Sequence, residues 1–71
     1  MNITVKEKVG IIMDRQKITM TELASATGQS RQNLTNKFAR GNFTEKDIAK
    51  IAEAMGCSVD IVFTLPDGSK I

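Results

Sequence analysis

Apolar residues recur along this chain at two different spacings. Up to residue 55 the spacing is helical. Val5, Val9, Ile12 and Gln16 line one stripe, widened by Ile11 and Met13, and Ile48, Ile51, Ala52 and Met55 keep an i, i+3, i+4, i+7 pattern. After Gly56 the period drops to two: Val59, Ile61, Phe63 and Leu65 alternate with Asp60, Val62 and Thr64. That alternation predicts a strand over residues 58–65.

Capping signals divide the helical part into segments. Thr4-Val5-Lys6-Glu7, Thr19-Met20-Thr21-Glu22 and Thr44-Glu45-Lys46-Asp47 each fit a capping box, in which hydroxyl and carboxylate satisfy two end amides reciprocally. Ile18 with Leu23, and Phe43 with Ile48, are placed as hydrophobic staples. Ser30 is a further N-cap. Behind it, Leu34 and Phe38 form a narrow i, i+4 stripe in a segment, Arg31 to Arg40, that is otherwise polar save for Ala39. Gly28 and Gly56 predict helix stops, and Gly41-Asn42 breaks the third helix. Gly10 weakens the first helix by about 1 kcal/mol relative to alanine.

The expected strand needs a partner, because its backbone groups cannot be left unmet. Pro66-Asp67-Gly68 reads as a turn, and only Ser69, Lys70 and Ile71 follow it, too few to pair back along the strand's whole length. The expectation is an antiparallel ribbon with the same segment of a second molecule about a two-fold axis, with Val59, Ile61, Phe63 and Leu65 as its apolar positions. Pairing with residues 2–5 is the alternative within the chain. Residues 1–57 then form one domain, and residues 58–71 a strand and tail for dimerisation.

Size points the same way. A domain of 71 residues buries only about 60% of the surface its unfolded chain exposes and usually needs added support. The single cysteine, Cys57, cannot form an internal disulfide, and without histidine no zinc site is recognisable, which leaves oligomerisation. Cys57 itself reads as a small apolar residue rather than a redox sensor, and the four methionines as fillers of core gaps. No apolar run suits a signal peptide or membrane span, so a soluble, cytoplasmic protein with no membrane partner is expected.

The net charge is +2, and its distribution matters more than its size. Residues 31–50 hold Arg31, Lys37, Arg40, Lys46 and Lys50 against Glu45 and Asp47, a local charge of +3. Such a surplus suits phosphates, although scattered lysines on a solvated face would give the same count.

The segment ITMTELASATGQSRQNLTNKFARGN resembles the helix-turn-helix of the Cro/repressor (XRE-type) DNA-binding domains. Leu23 and Ala24 in the first helix, Gly28 at the turn, Ser30 as the next cap and Leu34 as the anchor carry the likeness. The run IAKIAEAMGCS resembles the family's next helix, so that the likeness spans roughly residues 5–60. It implies a mainly α, compact four-helix bundle of the lambda-repressor type, usually dimeric, that reads an operator with the motif's second helix. The chain departs from the pattern at Met20, where glutamine is common, and at Gln29, where an apolar residue usually follows the glycine. It also carries Lys37 where a second apolar anchor is usual, with Phe38 one position later, and the recognition helix runs about one residue longer before Gly41.

A helical wheel finds the outward face independently of any family. With Leu34 at zero and 100° per residue, Leu34 and Phe38 put the core at about 20°, and the opposite direction near 200° falls on Asn36, flanked by Gln32, Ala39 and Arg40. Gln and Asn can pair bidentately with adenine, each such pair discriminating by about 1–3 kcal/mol. Glu and Lys would serve better if the face were merely solvated. The expected base-reading set is Ser30, Arg31, Gln32, Asn33, Thr35 and Asn36, with Arg31 swinging in from the helix start. Thr19, Thr21, Lys37, Arg40, Asn42 and Lys46 are the expected phosphate contacts.

These readings predict a sequence-specific regulator of transcription, of prokaryotic or phage repressor type, binding double-stranded DNA as a homodimer. The alternative is an antitoxin-like or other protein-interaction module, for which residues 59–65 would supply the surface. An enzyme is not expected, since there is no histidine, no paired carboxylates suited to a cleft and no phosphate-cradling glycine loop. No cofactor, metal or small-molecule substrate is expected.

Overall fold

The structure, a computed structural model, describes residues 3–71. It is mainly helical. Four helices follow one another: α1 Val5–Gln16, α2 Met20–Ala26, α3 Arg31–Arg40 and α4 Glu45–Ala54. All four expected N-caps are in place, and the reciprocal boxes at Thr4, Thr19 and Thr44 are complete, with Glu7, Glu22 and Asp47 returning to the cap amides. Short helices of this length would not persist alone, so packing must hold them.

The core takes one pair of residues from each helix or its cap. Val9 and Met13 come from α1, Leu23 and Ala24 from α2, Leu34 and Phe38 from α3, and Ile51 from α4 with Met55 just past its end. Leu34 has no exposed surface at all, and Leu23 and Ile51 retain 1% and 2%. Burying each such side chain is worth about 1.5–3 kcal/mol. The α1 stripe is narrower than its sequence pattern, since Ile11 is exposed and Gln16 instead reaches across to α4, its Nε2 donating to the Met55 carbonyl at 2.9 Å. Among the methionines, Met13 and Met55 fill the core and Met20 packs at its edge, while Met1 lies outside the described residues. Cys57 is half-buried against the same core.

Helices α2 and α4 end alike. In each, a residue near φ −97° precedes a left-handed glycine, Gly28 at φ 73° and Gly56 at φ 69°. The next amide then turns back onto the helix: Gln29 donates to the Ala24 carbonyl at 3.0 Å and Cys57 to that of Ala52 at 2.8 Å. The sequences ASATGQ and AEAMGC share the pattern that produces this close, a small apolar residue four positions before the glycine.

The tail corrects one expectation. Among the described residues no continuous strand forms over 58–65. Its last part pairs within the chain, Phe63 and Ile71 exchanging both backbone bonds at 2.7 and 2.9 Å and Leu65 donating to Ser69 at 2.8 Å. Thr64 and Lys70 bridge antiparallel, and Pro66-Asp67-Gly68 makes the turn. Three residues after the turn are enough for this short hairpin. Among the described residues, nothing takes up the backbone groups of Ser58 to Val62, and residues 3–5 make no backbone bond to the tail. Asn2, at the start of the alternative pairing segment, lies outside the described residues.

Candidate nucleic-acid interface

Leu34 and Phe38 hold α3 against the bundle, and everything else on that helix is set by this. Phe38 also meets Phe43 edge to face, with centroids 5.3 Å apart and planes at 87°, which fixes the far end of α3 against the connection to α4. With the apolar stripe facing in, Gln32, Asn33, Thr35, Asn36, Ala39 and Arg40 all stand exposed, as the wheel requires, and Arg31 is exposed at the helix start although the wheel sets it nearer the core side. Ser30 is exposed too, but its hydroxyl accepts from the Asn33 amide at 3.0 Å and so serves the helix cap.

The amides on this face are paired with one another. Gln32 Nε2 donates to Asn36 Oδ1 at 3.2 Å, and Asn33 Nδ2 donates to Gln29 Oε1 at 2.9 Å. Gln29 in turn donates to the Thr27 hydroxyl at 2.8 Å. Sequence reasoning did not include Gln29 or Thr27 among the site residues. The signal was available: a glutamine where the family carries an apolar residue, four positions before an asparagine.

Lys37 sits where a second apolar anchor was expected, and it takes over the anchoring with a charge. Its Nζ lies 2.7 Å from Asp47 Oδ1, tying α3 to the first turn of α4. The Lys37 ammonium, helped by the Thr44 amide, holds the Asp47 carboxyl below the usual aspartate range. A shallow depression beside α3 is lined by Asn33, Asn36, Lys37, Arg40, Asn42, Thr44 and Asp47. It brings two of the expected base readers together with three of the expected phosphate contacts. Thr19, Thr21 and Lys46 lie outside it, and all three are exposed.

The helix ends differ in charge. The first turns of α1, α2 and α4 each carry a carboxylate, whereas that of α3 carries none. At α2 the Thr19 amide binds Glu22 Oε1 at 3.0 Å, a contact that holds the Glu22 carboxyl below its usual range. The positive end of the α2 dipole is therefore already countered within the chain, while that of α3, flanked by Arg31, is not.

Two short helices joined by a glycine turn, the second anchored by two apolar residues and polar on its outer side, define a helix-turn-helix module. The family comparison is specific. The family model of the Cro/C1-type HTH DNA-binding domain matches residues 8–67, and the chain belongs to that family. The match runs past α4 into the turn of the tail hairpin. Searches of curated proteins and of solved structures returned no match.

Proposed function

We propose that the chain is a sequence-specific regulator of transcription, of prokaryotic or phage repressor type, that lays α3 in the major groove. The observation that carries this reading is the division of α3 itself. Leu34 is fully buried, while Gln32 and Asn36 lie opposite it with Asn33 and Thr35 exposed on either side, and Arg31 is exposed at the helix start. Side chains of these types can read base edges, and the helix that presents them is held rigidly from behind. Arg40, Asn42, Lys46 and the hydroxyls of Thr19 and Thr21 flank that face and would hold phosphates, with Lys37 contributing less because it is paired with Asp47.

Residues 1–57 serve as the reading unit and residues 58–71 as the element that joins two copies. The support is the apolar tail: Val59, Ile61, Val62 and Phe63 are all more than two-fifths exposed, beside backbone that the described residues leave unpaired. Two copies related by a two-fold axis would need their α3 helices about 34 Å apart on a palindromic site. Such a protein works in the cytoplasm, beside the chromosome. The exposed tail also fits the second reading, an antitoxin-like module that binds a different protein.

Selection of bound duplexes from a randomised double-stranded pool tests the first reading. The intact chain is expected to enrich one palindromic sequence, with affinity that falls steeply as salt rises. Replacing Gln32 and Asn36 together by alanine is expected to abolish the preference at the enriched positions. Unchanged discrimination in that double variant would overturn the assigned reading face. A chain that enriches nothing, or binds DNA without regard to salt, would favour the protein-interaction module.

A further inference from the structure

We propose that Gln29 is a positioning residue that sets which hydrogen-bonding face Asn33 presents to a base. The inference rests on the DNA-reading role of α3 and adds to it a polarity built into the turn. The Thr27 hydroxyl donates to the α2 carbonyls of Leu23 and Ala24, at 2.9 and 3.1 Å. Its single proton is thereby committed to the helix, and toward the turn it can only accept. It accepts from Gln29 Nε2 at 2.8 Å. The Gln29 amide is thus oriented with its nitrogen toward α2, and its oxygen faces α3, where it accepts from Asn33 Nδ2 at 2.9 Å. Turning the Gln29 amide over would set oxygen against a hydroxyl with no proton to give and nitrogen against nitrogen.

Both intermediates of this relay, Thr27 and Gln29, are half-buried, whereas Asn33 is exposed. The order therefore runs outward from the α2 backbone to the reading face. One N–H of Asn33 is spent on Gln29. Among the described residues, nothing engages Asn33 Oδ1, so that oxygen and the second N–H remain for a ligand. An acceptor beside a donor matches the N6 and N7 edge of adenine and opposes the two acceptors that guanine shows there. An apolar residue in place of Gln29 would leave the Asn33 amide able to turn over and would remove this choice.

The test uses the full-length chain carrying Gln29→Met, Gln29→Glu, Asn33→Ala or Gln29→Met with Asn33→Ala. Each protein is measured against duplexes that the unaltered chain enriches from a randomised pool, and against single base-pair replacements of them. Q29M is expected to lose about tenfold of discrimination at one base pair in each half-site, the same one lost in N33A. The double variant is expected to be no worse than N33A alone. Q29E keeps an acceptor for Asn33, so it is expected to bind every duplex more weakly and yet retain the preference. In the protein without DNA, the Asn33 side-chain amide protons are expected to exchange with solvent faster in Q29M than in the unaltered chain.

Equal exchange rates in the two proteins would overturn the proposal, whatever the DNA results. So would Q29M weakening all duplexes alike, or losses that add in the double variant. An enriched sequence indifferent to Gln29→Met overturns this inference alone, whereas a chain that enriches no sequence overturns it together with the DNA-reading role.

Discussion

Lys17 ends α1 in the left-handed region, at φ 56° and ψ 42°, and it is the one residue other than glycine with positive φ among those described. A side chain there costs about 1–2 kcal/mol. The conformation persists because it returns two amides to the helix, Lys17 to the Asp14 carbonyl at 3.3 Å and Ile18 to that of Met13 at 2.9 Å. Glycine would relieve the clash, while giving the unfolded chain more freedom to lose. Lys17→Gly is therefore expected to stabilise the fold by about 0.5–1 kcal/mol, read as a raised midpoint in urea denaturation. The same residue shows where residue-level reading stops. Gly28, Gly41 and Gly56 announce helix ends because their chemistry permits positive φ, whereas a lysine announces nothing. The end of α1 brings Met13 and Ile18 both against the core, and Lys17 itself carries no signal of it.

Helix starts were legible because a capping box is complete within four residues. The tie between α3 and α4 was not, since it joins Lys37 to Asp47 across a break in the chain. Asp47 carries two duties: Oδ2 accepts from the Thr44 amide at 3.0 Å, and Oδ1 accepts from Lys37 at 2.7 Å. Both favour the carboxylate, so the folded pKa lies below the unfolded one. The stabilisation is then present above the ordinary aspartate value and is lost as pH falls from about 4 through the lower folded value. Asp47→Asn is expected to cost about 1 kcal/mol at neutral pH, and to make the decline of the melting temperature below about pH 4 shallower than in the unaltered chain. Thermal melts across that range check it. An acid limb with the same slope in both proteins would mean that Lys37 and Asp47 do not couple α3 to α4. The outward face of α3 was legible from Leu34 and Phe38 alone, because two buried positions orient a rigid helix. The pairing of Asn33 with Gln29 was not, because Gln29 enters that face from outside the helix.

At the scale of the whole molecule, the alternation in residues 59–65 was legible and the partner was not. Period-two patterning says that a segment is extended with apolar positions, but not which chain supplies the other edge. Within the chain, the hairpin takes only the last part of the segment. Phe63 stays 70% exposed and Ile71 82% exposed, an apolar surface at the hairpin's open end. Farther back, Val59 and Ile61 wall a groove of about 390 Å³ whose other sides are Val5, Val9 and Ile12 of α1 and Ile48 and Ile51 of α4. A second copy could cover both at once, and joining two reading units would multiply operator affinity without any new base contact. Removing residues 58–71 is expected to give a helical monomer whose operator affinity is lower by about a hundredfold or more. Circular dichroism checks the fold, sedimentation equilibrium the mass, and titration of a two-site against a one-site duplex the loss of joint binding. Phe63→Lys separates surface from fold, because Phe63 holds the hairpin through its backbone bonds to Ile71 and its side chain is spare. That variant is expected to keep the helical signal and sediment as a monomer. If both altered proteins remain dimeric, the two-fold contact lies on the helices and the tail has another use.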